Sequence, residues 1–240
     1  LNLIAELSNG DARIALSNLD FIIHATQQDD PISAKQIYDA MQRQITYYDK
    51  KEDKYDLLSA FQKSIRGSDP DASVHYLAKL LECGVDIITI GRRLLTISSE
   101  DIGLASPNAI TIVNSCVQAA QTVGLPEARI ILSQATLFLA CSPKSNSCIK
   151  AIDNAINDIR TMQIDGPPLH LIGTHSPKIK IKGFNLGYKS PHENGGYVEQ
   201  QYLPDNLHAK QKIYYNPSEN GKEKQIKQTL KRFKIGPYNR

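Results

Sequence analysis

Residues 55–84 read YDLLSAFQKSIRGSDPDASVHYLAKLLECG, and the punctuation at their centre decides the fold. Leu57, Leu58, Phe61 and Ile65 recur at helical spacing and stop at Gly67. Asp69 and Pro70 then supply an N-cap and a first-turn proline for a second helix, which carries Val74, Leu77, Ala78 and Leu81 inward as far as Gly84. Two amphipathic helices joined by a turn of a few residues form the repeating unit of an all-α protein.

The same grammar runs outward in both directions. Downstream, Ile87, Ile90, Leu94 and Ile97 predict a helix whose polar side carries Arg92 and Arg93 and whose end reads SSEDIG. Ser106 and Pro107 open a helix to about Val123, Pro126 opens one to about Ala140, and a last runs from about Ser145 to Met162. The run ARIILSQATLFLA at 128–140 is apolar nearly all round, as expected of a central helix or one covered at a subunit interface. Upstream, a helix over 10–26 sets Ala12, Ala15, Leu16, Leu19, Ile22 and Ile23 on one stripe. Ser33 caps another to about Asp49 through Ile37, Ala40, Met41, Ile45 and Tyr48. The lysine-rich YDKKEDKYD at 48–56 reads as a solvated connector.

After Gly166 the helical period disappears into proline and glycine, and KIKIK at 178–182 alternates like a short exposed strand. The expected fold is therefore mainly α: a multi-helix bundle followed by a long irregular extension over it, with at most a small β-hairpin and a terminal basic helix from about Ser218 to Phe233.

The 240 residues are 41% hydrophobic and 22% charged, enough to bury the core of one or two domains. No stretch approaches a membrane span and no leader is recognisable, so a cytoplasmic location is expected. The chain enters directly at Leu1 into LNLIAELS, which reads as the middle of something longer, an excised C-terminal piece. Cys83, Cys116 and Cys141 sit among apolar neighbours, and with Cys148 they form no C-x-x-C pair; small buried hydrophobes are expected, not metal ligands or disulfides. His170 and His175 flank LIGT without an acidic or thiol partner. The net charge of +3 conceals an asymmetry, with about five more acids than bases over 1–165 and about eight more bases than acids over 166–240.

Motifs for catalysis are missing from these residues. GFNLGYKS at 183–190 fails as a phosphate-cradling loop because Tyr188 separates the second glycine from Lys189 and Pro191 blocks the following helix. There is no G-x-S-x-G elbow, so no catalytic residue, metal site or ATP hydrolysis is expected of this stretch alone. The densest polar constellations are SIRGSDPDA at 64–72 and GRRLLTISSEDIGLASP at 91–107. Asp69 and Ser106 are expected to cap helices. Arg66, Arg92 and Arg93 are expected on solvated faces, with Glu100 and Asp101 pairing with one of them. A sharper reading makes the cluster a polar latch between domains or subunits. In the tail, Lys178, Lys180, Lys182, Lys189, Lys227, Lys231 and Arg232 accompany Tyr188, Tyr214 and Tyr215, a mixture that suits phosphate contact and base stacking. The competing reading packs those tyrosines inward on the body.

One residue asks for a partner: Arg13 lies in the first turn of the helix opened by SNGDAR, where the backbone dipole disfavours a cation. Together LSNGDARIALSNLD, YDLLSAFQKSIRGSDPDA, RRLLTISSEDIGLASPNA, LACSPKSNS, GGYVEQQYLP and YYNPSENGKEKQIKQTL resemble the C-terminal half of the replication-associated recombination protein A family. These are AAA+ ATPases related to clamp loaders and similar to the eukaryotic Werner helicase-interacting protein. The resemblance implies a collar-like helical array. It assigns residues 1–30 to the remnant of an AAA+ lid, 31–105 to an associated helical domain, and 106–240 to an oligomerisation domain with an irregular basic tail from about 166. It makes Arg13 the sensor-2 residue that reaches the phosphates of ATP, with ATP and magnesium held by a core outside this stretch. It further implies a homotetramer, DNA-stimulated ATP hydrolysis by the parent protein in replication-fork rescue and recombination, and partnership with single-stranded or forked DNA and single-stranded DNA-binding protein, without a membrane. The alternative is a nucleic-acid-binding module acting through the basic, tyrosine-rich tail.

Overall fold

The computed structural model describes residues 2–7, 12–25, 33, 34, 37, 51–172 and 187–233, and every structural statement concerns these. The chain divides into two compact units, Leu1–Asp53 and Lys54–Arg240. Among the described residues the regular structure is helical, with no strand, and no helix is long and apolar enough to cross a membrane. KIKIK, most of the helix expected over 33–49, and the C-terminal residues 234–240 lie outside the described residues.

In the first unit α1 (Asn2–Leu7) packs on α2 (Ala12–Ala25). Ile4, Ile22 and Ile37 are buried together, with Leu3 and Leu19 half-buried against them. The apolar stripe on α2 is narrower than expected. Leu16 is 66% exposed and Ile23 56%, because only the Ala15–Leu19–Ile22 row, one turn apart at each step, turns toward the small cluster.

The second unit is built around one helix. It begins within α3 (Lys51–Arg66), followed by α4 (Pro70–Glu82), α5 (Ile87–Ile97), α6 (Ala109–Val123), α7 (Ala128–Cys141) and α8 (Ser147–Thr161). The lysine-rich connector proves helical from Lys51. Its charged residues are good helix formers. Asp69 caps α4 through its side chain, which accepts from the Ala72 amide at 2.9 Å. The buried row of α4 is Ser73, Leu77 and Leu80, rotated from the expected stripe toward α7, and the Ser73 hydroxyl is satisfied there by donating to the Asp69 carbonyl. Helix α7 contacts α4, α5 and α6 and buries Leu132, Ala135, Thr136, Leu139 and Ala140, the central position its composition implied. Gly91 lets α5 approach α6 closely: a Cβ there would lie 2.6 Å from Val117 Cγ1.

Two helix ends differ from the sequence reading. After α5 the chain winds on as a π-turn over Ser98–Ile102 and a 3₁₀ turn over Gly103–Ala105. The wider π spacing turns Ser98, Asp101 and Ile102 all inward. Helix α6 starts with Asn108 as its flanking residue. Ser106 serves it through its carbonyl, which accepts from the Ala109 amide at 2.9 Å, and not through a capping side chain.

The described parts of the extension are held to one another and to the body by polar contacts. His170 Nε2 lies 2.8 Å from the Gln201 carbonyl, and Asn206 bonds to Asp165 and Gln163. Two short helices punctuate it, α9 (Asp205–Ala209) and the terminal α10 (Glu223–Arg232). Cys116 is buried, but Cys141 at the last position of α7 is exposed and Cys83 and Cys148 are half-buried. Only one of the three cysteines expected in the core is fully there, since helix ends leave the packed layer.

Candidate functional site

Stretches far apart in sequence converge on one cleft of about 410 Å³, lined by Arg66, Glu100, Asp101, Lys144, Ser145, Asn146, Ile149, Ser218 and Asn220. Helix α3 contributes Arg66 from its last turn and Gln62 one turn earlier. The π-turn presents Glu100 and Asp101 to them. Arg66 donates to Glu100 at 2.8 Å and also to the buried carboxylate of Asp101, which accepts a further bond from Gln62 Nε2 at 3.1 Å. Arg93 on α5 closes the chain by donating to Gln62 Oε1 at 2.8 Å. The bond to Asp101 holds the Arg66 guanidinium even more firmly protonated than usual. Arg66 and Arg92 are exposed as expected, Arg66 being the one that pairs with Glu100 and Asp101, whereas Arg93 is half-buried. The Ser145 amide donates to the Asp101 carbonyl at 2.8 Å, joining the π-turn to the start of α8.

Beside this network lies a second carboxylate that the sequence reading passed over. Glu223, inside the lysine run GKEKQ, has 0% exposure. It accepts from Ser145 Oγ at 2.6 Å, from Ser147 Oγ, from the Ser218 amide at 2.8 Å and from the Tyr215 hydroxyl at 3.1 Å. Burial pushes its pKa up, but the hydrogen bonds from Ser145, Ser147 and Ser218 outweigh it and leave the group below the usual glutamate range. Gly221, at φ +53°, brings the chain so close to the Ala105 carbonyl that no side chain fits, and the next amide, Lys222, bonds that carbonyl at 2.9 Å. Lys144 lies beneath, its ammonium spent on the Ala140 and Ser142 carbonyls at the end of α7, and burial lowers its pKa. Every one of these charged groups is engaged in holding helix ends and tail together, and among the described residues lining the cleft no nucleophile is paired with a base. The cleft is a junction.

Of the sequence-predicted residues, those that the structure describes with their side chains are Lys189, Lys227, Lys231 and Arg232. Arg13 is the second residue of α2, in its first turn as expected, while its side chain lies outside the described residues, as do Lys178, Lys180 and Lys182. Lys189 is exposed in the irregular segment. Lys227, Lys231 and Arg232 share α10; Lys227 is paired with Glu219, and Lys231 and Arg232 are exposed. Of the three tail tyrosines singled out, Tyr188 is 47% exposed, while Tyr214 and Tyr215 are turned to the body. Tyr214 donates to Asp158 at 3.0 Å beside the Lys212–Asp158 ion pair at 2.6 Å, and Tyr215 holds Glu223. Hydrogen bonds from Lys212 and Tyr214 hold the Asp158 carboxyl below its ordinary range.

A different feature marks the outer helices. On α6, Ile112 and Val123 are exposed on one stripe; on α7, Ile130 is 62% exposed and Leu137, two turns on, 39%. Helix α8 buries only Ser147 and Asp158 completely and leaves Ile152, Ile156 and Ile159 in solvent. Soluble chains rarely leave so many large aliphatic residues uncovered on adjoining helices unless something packs on them.

Residues 67–234 match the family described as MgsA AAA+ ATPase C terminal, and residues 1–66 match the AAA C-terminal domain family. The Arg66 ion pairs thus join the last residue of one match to Glu100 and Asp101 in the other. The Replication-associated recombination protein A of Bacillus subtilis is 47% identical over 226 residues, covering 91% of this chain and 53% of its own length. That of Haemophilus influenzae is 33% identical over 240 residues, with 98% and 53% covered. An ATPase WRNIP1 from Dictyostelium discoideum is 31% identical over 224 residues, 84% of this chain and 26% of its own. The chain spans about half the length of these bacterial relatives.

Proposed function

The chain belongs to the MgsA AAA+ ATPase C-terminal family, and from that premise we propose that it is the self-assembly portion, forming a homotetramer, of a DNA-dependent ATPase acting in replication-fork rescue and recombination. The observation that carries the assembly reading is the exposed aliphatic stripe on α7, Ile130 and Leu137, with Ile112 and Val123 also exposed on the contacting helix α6. Helix α7 is central on one side and apolar on the other, which is the profile of a helix covered twice, once by its own chain and once by another.

On this reading ATP and magnesium belong to a nucleotide-binding core in the longer protein, and Arg13 reaches from the first turn of α2 to the phosphates of that ATP. Single-stranded or forked DNA and single-stranded DNA-binding protein are partners of the whole, in the cytoplasm. The carboxylate junction gives the assembly module a fixed shape by tying α3, the π-turn, α8 and the tail into one body. Sedimentation velocity of the 240-residue chain tests the claim. Wild type should run well above monomer at tens of micromolar, and the Ile130→Glu, Leu137→Glu double variant should run as a folded monomer or dimer. A wild-type chain that stays strictly monomeric removes the proposal.

A second reading is favoured by the exposed Lys224, Lys231 and Arg232 on α10, which would give the tail a nucleic-acid-binding role of its own. Titration with labelled single-stranded DNA at two salt concentrations decides it: phosphate contacts must weaken steeply with salt, and salt-insensitive or undetectable binding leaves the tail structural.

A further inference from the structure

Of the five tyrosines described between 187 and 233, three are spent on the chain itself. Tyr214 and Tyr215 give their hydroxyls to Asp158 and Glu223, and Tyr197 lies face to face on Phe233, centroids 5.0 Å apart with 14° between the planes. Tyr188 and Tyr202 are different: they are 47% and 50% exposed, so about half of each residue stands in solvent.

One side chain builds these two rings and Lys189 into a single surface. The Gln200 amide nitrogen donates to the Lys189 carbonyl at 2.9 Å and to the Tyr202 hydroxyl at 2.7 Å, and its amide oxygen accepts from the Lys189 amide at 3.2 Å. The phenol edge of Tyr202 is thereby held beside the backbone that carries Tyr188 and Lys189, while buried Val198 anchors the chain between them. Rings fixed before a ligand arrives lose less freedom when they bind one.

The Tyr197–Phe233 stack carries this surface to the end of α10, where Lys231 and Arg232 immediately precede Phe233. Tyr197 and Tyr202 are five residues apart, at most about 17 Å of chain, so one short extended ligand spans the rings and the helix end. The charge lies mostly on the helix. The only carboxylate of α10, Glu223, is buried in the junction, which leaves Lys224, Lys231 and Arg232 exposed without an acid of their own helix. The loop itself sets Lys189 against Glu193 and Glu199 and contributes chiefly its rings. A ligand for both parts needs open π faces and a regular run of negative charge. An unpaired nucleotide strand has both, a duplex hides its base faces, and an acidic peptide has no base faces to stack.

We infer that Tyr188 and Tyr202, set around Gln200, form a stacking platform for the bases of single-stranded nucleic acid whose phosphates lie along the end of α10. This rests on the second reading above and adds to it a base-contacting site and a preference for unpaired strands.

The test titrates the 240-residue chain with a labelled oligothymidylate at two salt concentrations, after circular dichroism has matched the helix content of each variant. Tyr188→Ala and Tyr202→Ala should each weaken binding by about tenfold and leave its salt dependence unchanged, while Tyr188→Phe and Tyr202→Phe, which keep the ring, should bind as wild type does. The Lys231→Gln, Arg232→Gln double variant should instead flatten the logarithmic salt slope by about 0.7 per lost contact. The chain holds no tryptophan, so Tyr202→Trp adds a single reporter whose emission the stacked bases should quench. The same strand annealed to its complement should compete poorly. Alanine variants that bind as wild type does, phenylalanine variants as weak as the alanine ones, tryptophan emission unmoved by saturating strand, or a duplex that competes equally overturns the platform and leaves the α10 reading in place. A wild-type chain that binds no strand, or binds one without salt dependence, overturns that reading itself.

Discussion

Glu223 shows how one side chain can fix the course of a long extension. A carboxylate with no exposure survives only because four donors converge on it, and each donor comes from a segment that would otherwise be free to leave: Ser145 and Ser147 before and in α8, Tyr215 and Ser218 in the tail. Glu223→Ala is expected to cost about 3 kcal/mol, because the donors stay buried without an acceptor, as read from the midpoint of urea unfolding. Its native pKa lies below the unfolded one, so its contribution is complete above about pH 4.5 and is withdrawn as pH falls through the native value. The acid limb of wild-type stability should therefore be steeper than that of Glu223→Gln, and identical limbs would show that the charge is not held there. This residue was illegible in the sequence, where GKEKQIKQ reads as a solvated run. Its burial depends on Gly221 letting the backbone sit on the Ala105 carbonyl, a contact more than a hundred positions distant.

At the scale of elements, capping and period were legible and rotation was not. Asp69, Pro70 and Gly67 bounded two helices correctly because their chemistry is local. Which row of α4 or α2 turned inward was decided by the partner helix, so Val74 and Ala78 gave way to Ser73 and Leu80, and Leu16 and Ile23 stayed in solvent. The π-turn after Ile97 had no signal in its composition, yet it is what aims Asp101 at Arg66. Gly91 offers a check on how α5 meets α6. Alanine is the better helix former by about 1 kcal/mol, but its Cβ would strike Val117 at 2.6 Å. Gly91→Ala should therefore lower the thermal midpoint, and Val117→Ala in the same chain should recover part of the loss. A Gly91→Ala chain more stable than wild type would show that the two helices are not in such close contact.

For the whole molecule, the all-α class and the irregular tail were readable because both rest on patterns a few residues long. The exposure of Ile112, Ile130, Ile152 and Ile159 was not, since they obey the same helical spacing as core residues. ARIILSQATLFLA came nearest, being apolar on more sides than a single chain can bury. The junction of Arg66, Asp101, Ser145 and Glu223 ties α3, the π-turn, α8 and the tail together, and on the proposed reading the exposed aliphatic residues of α6 and α7 are where another copy packs. Sedimentation equilibrium of the wild-type chain over a concentration series addresses this most directly. The account predicts a mass approaching four times 26.7 kDa at the higher concentrations, and a single-chain mass at every concentration would contradict it.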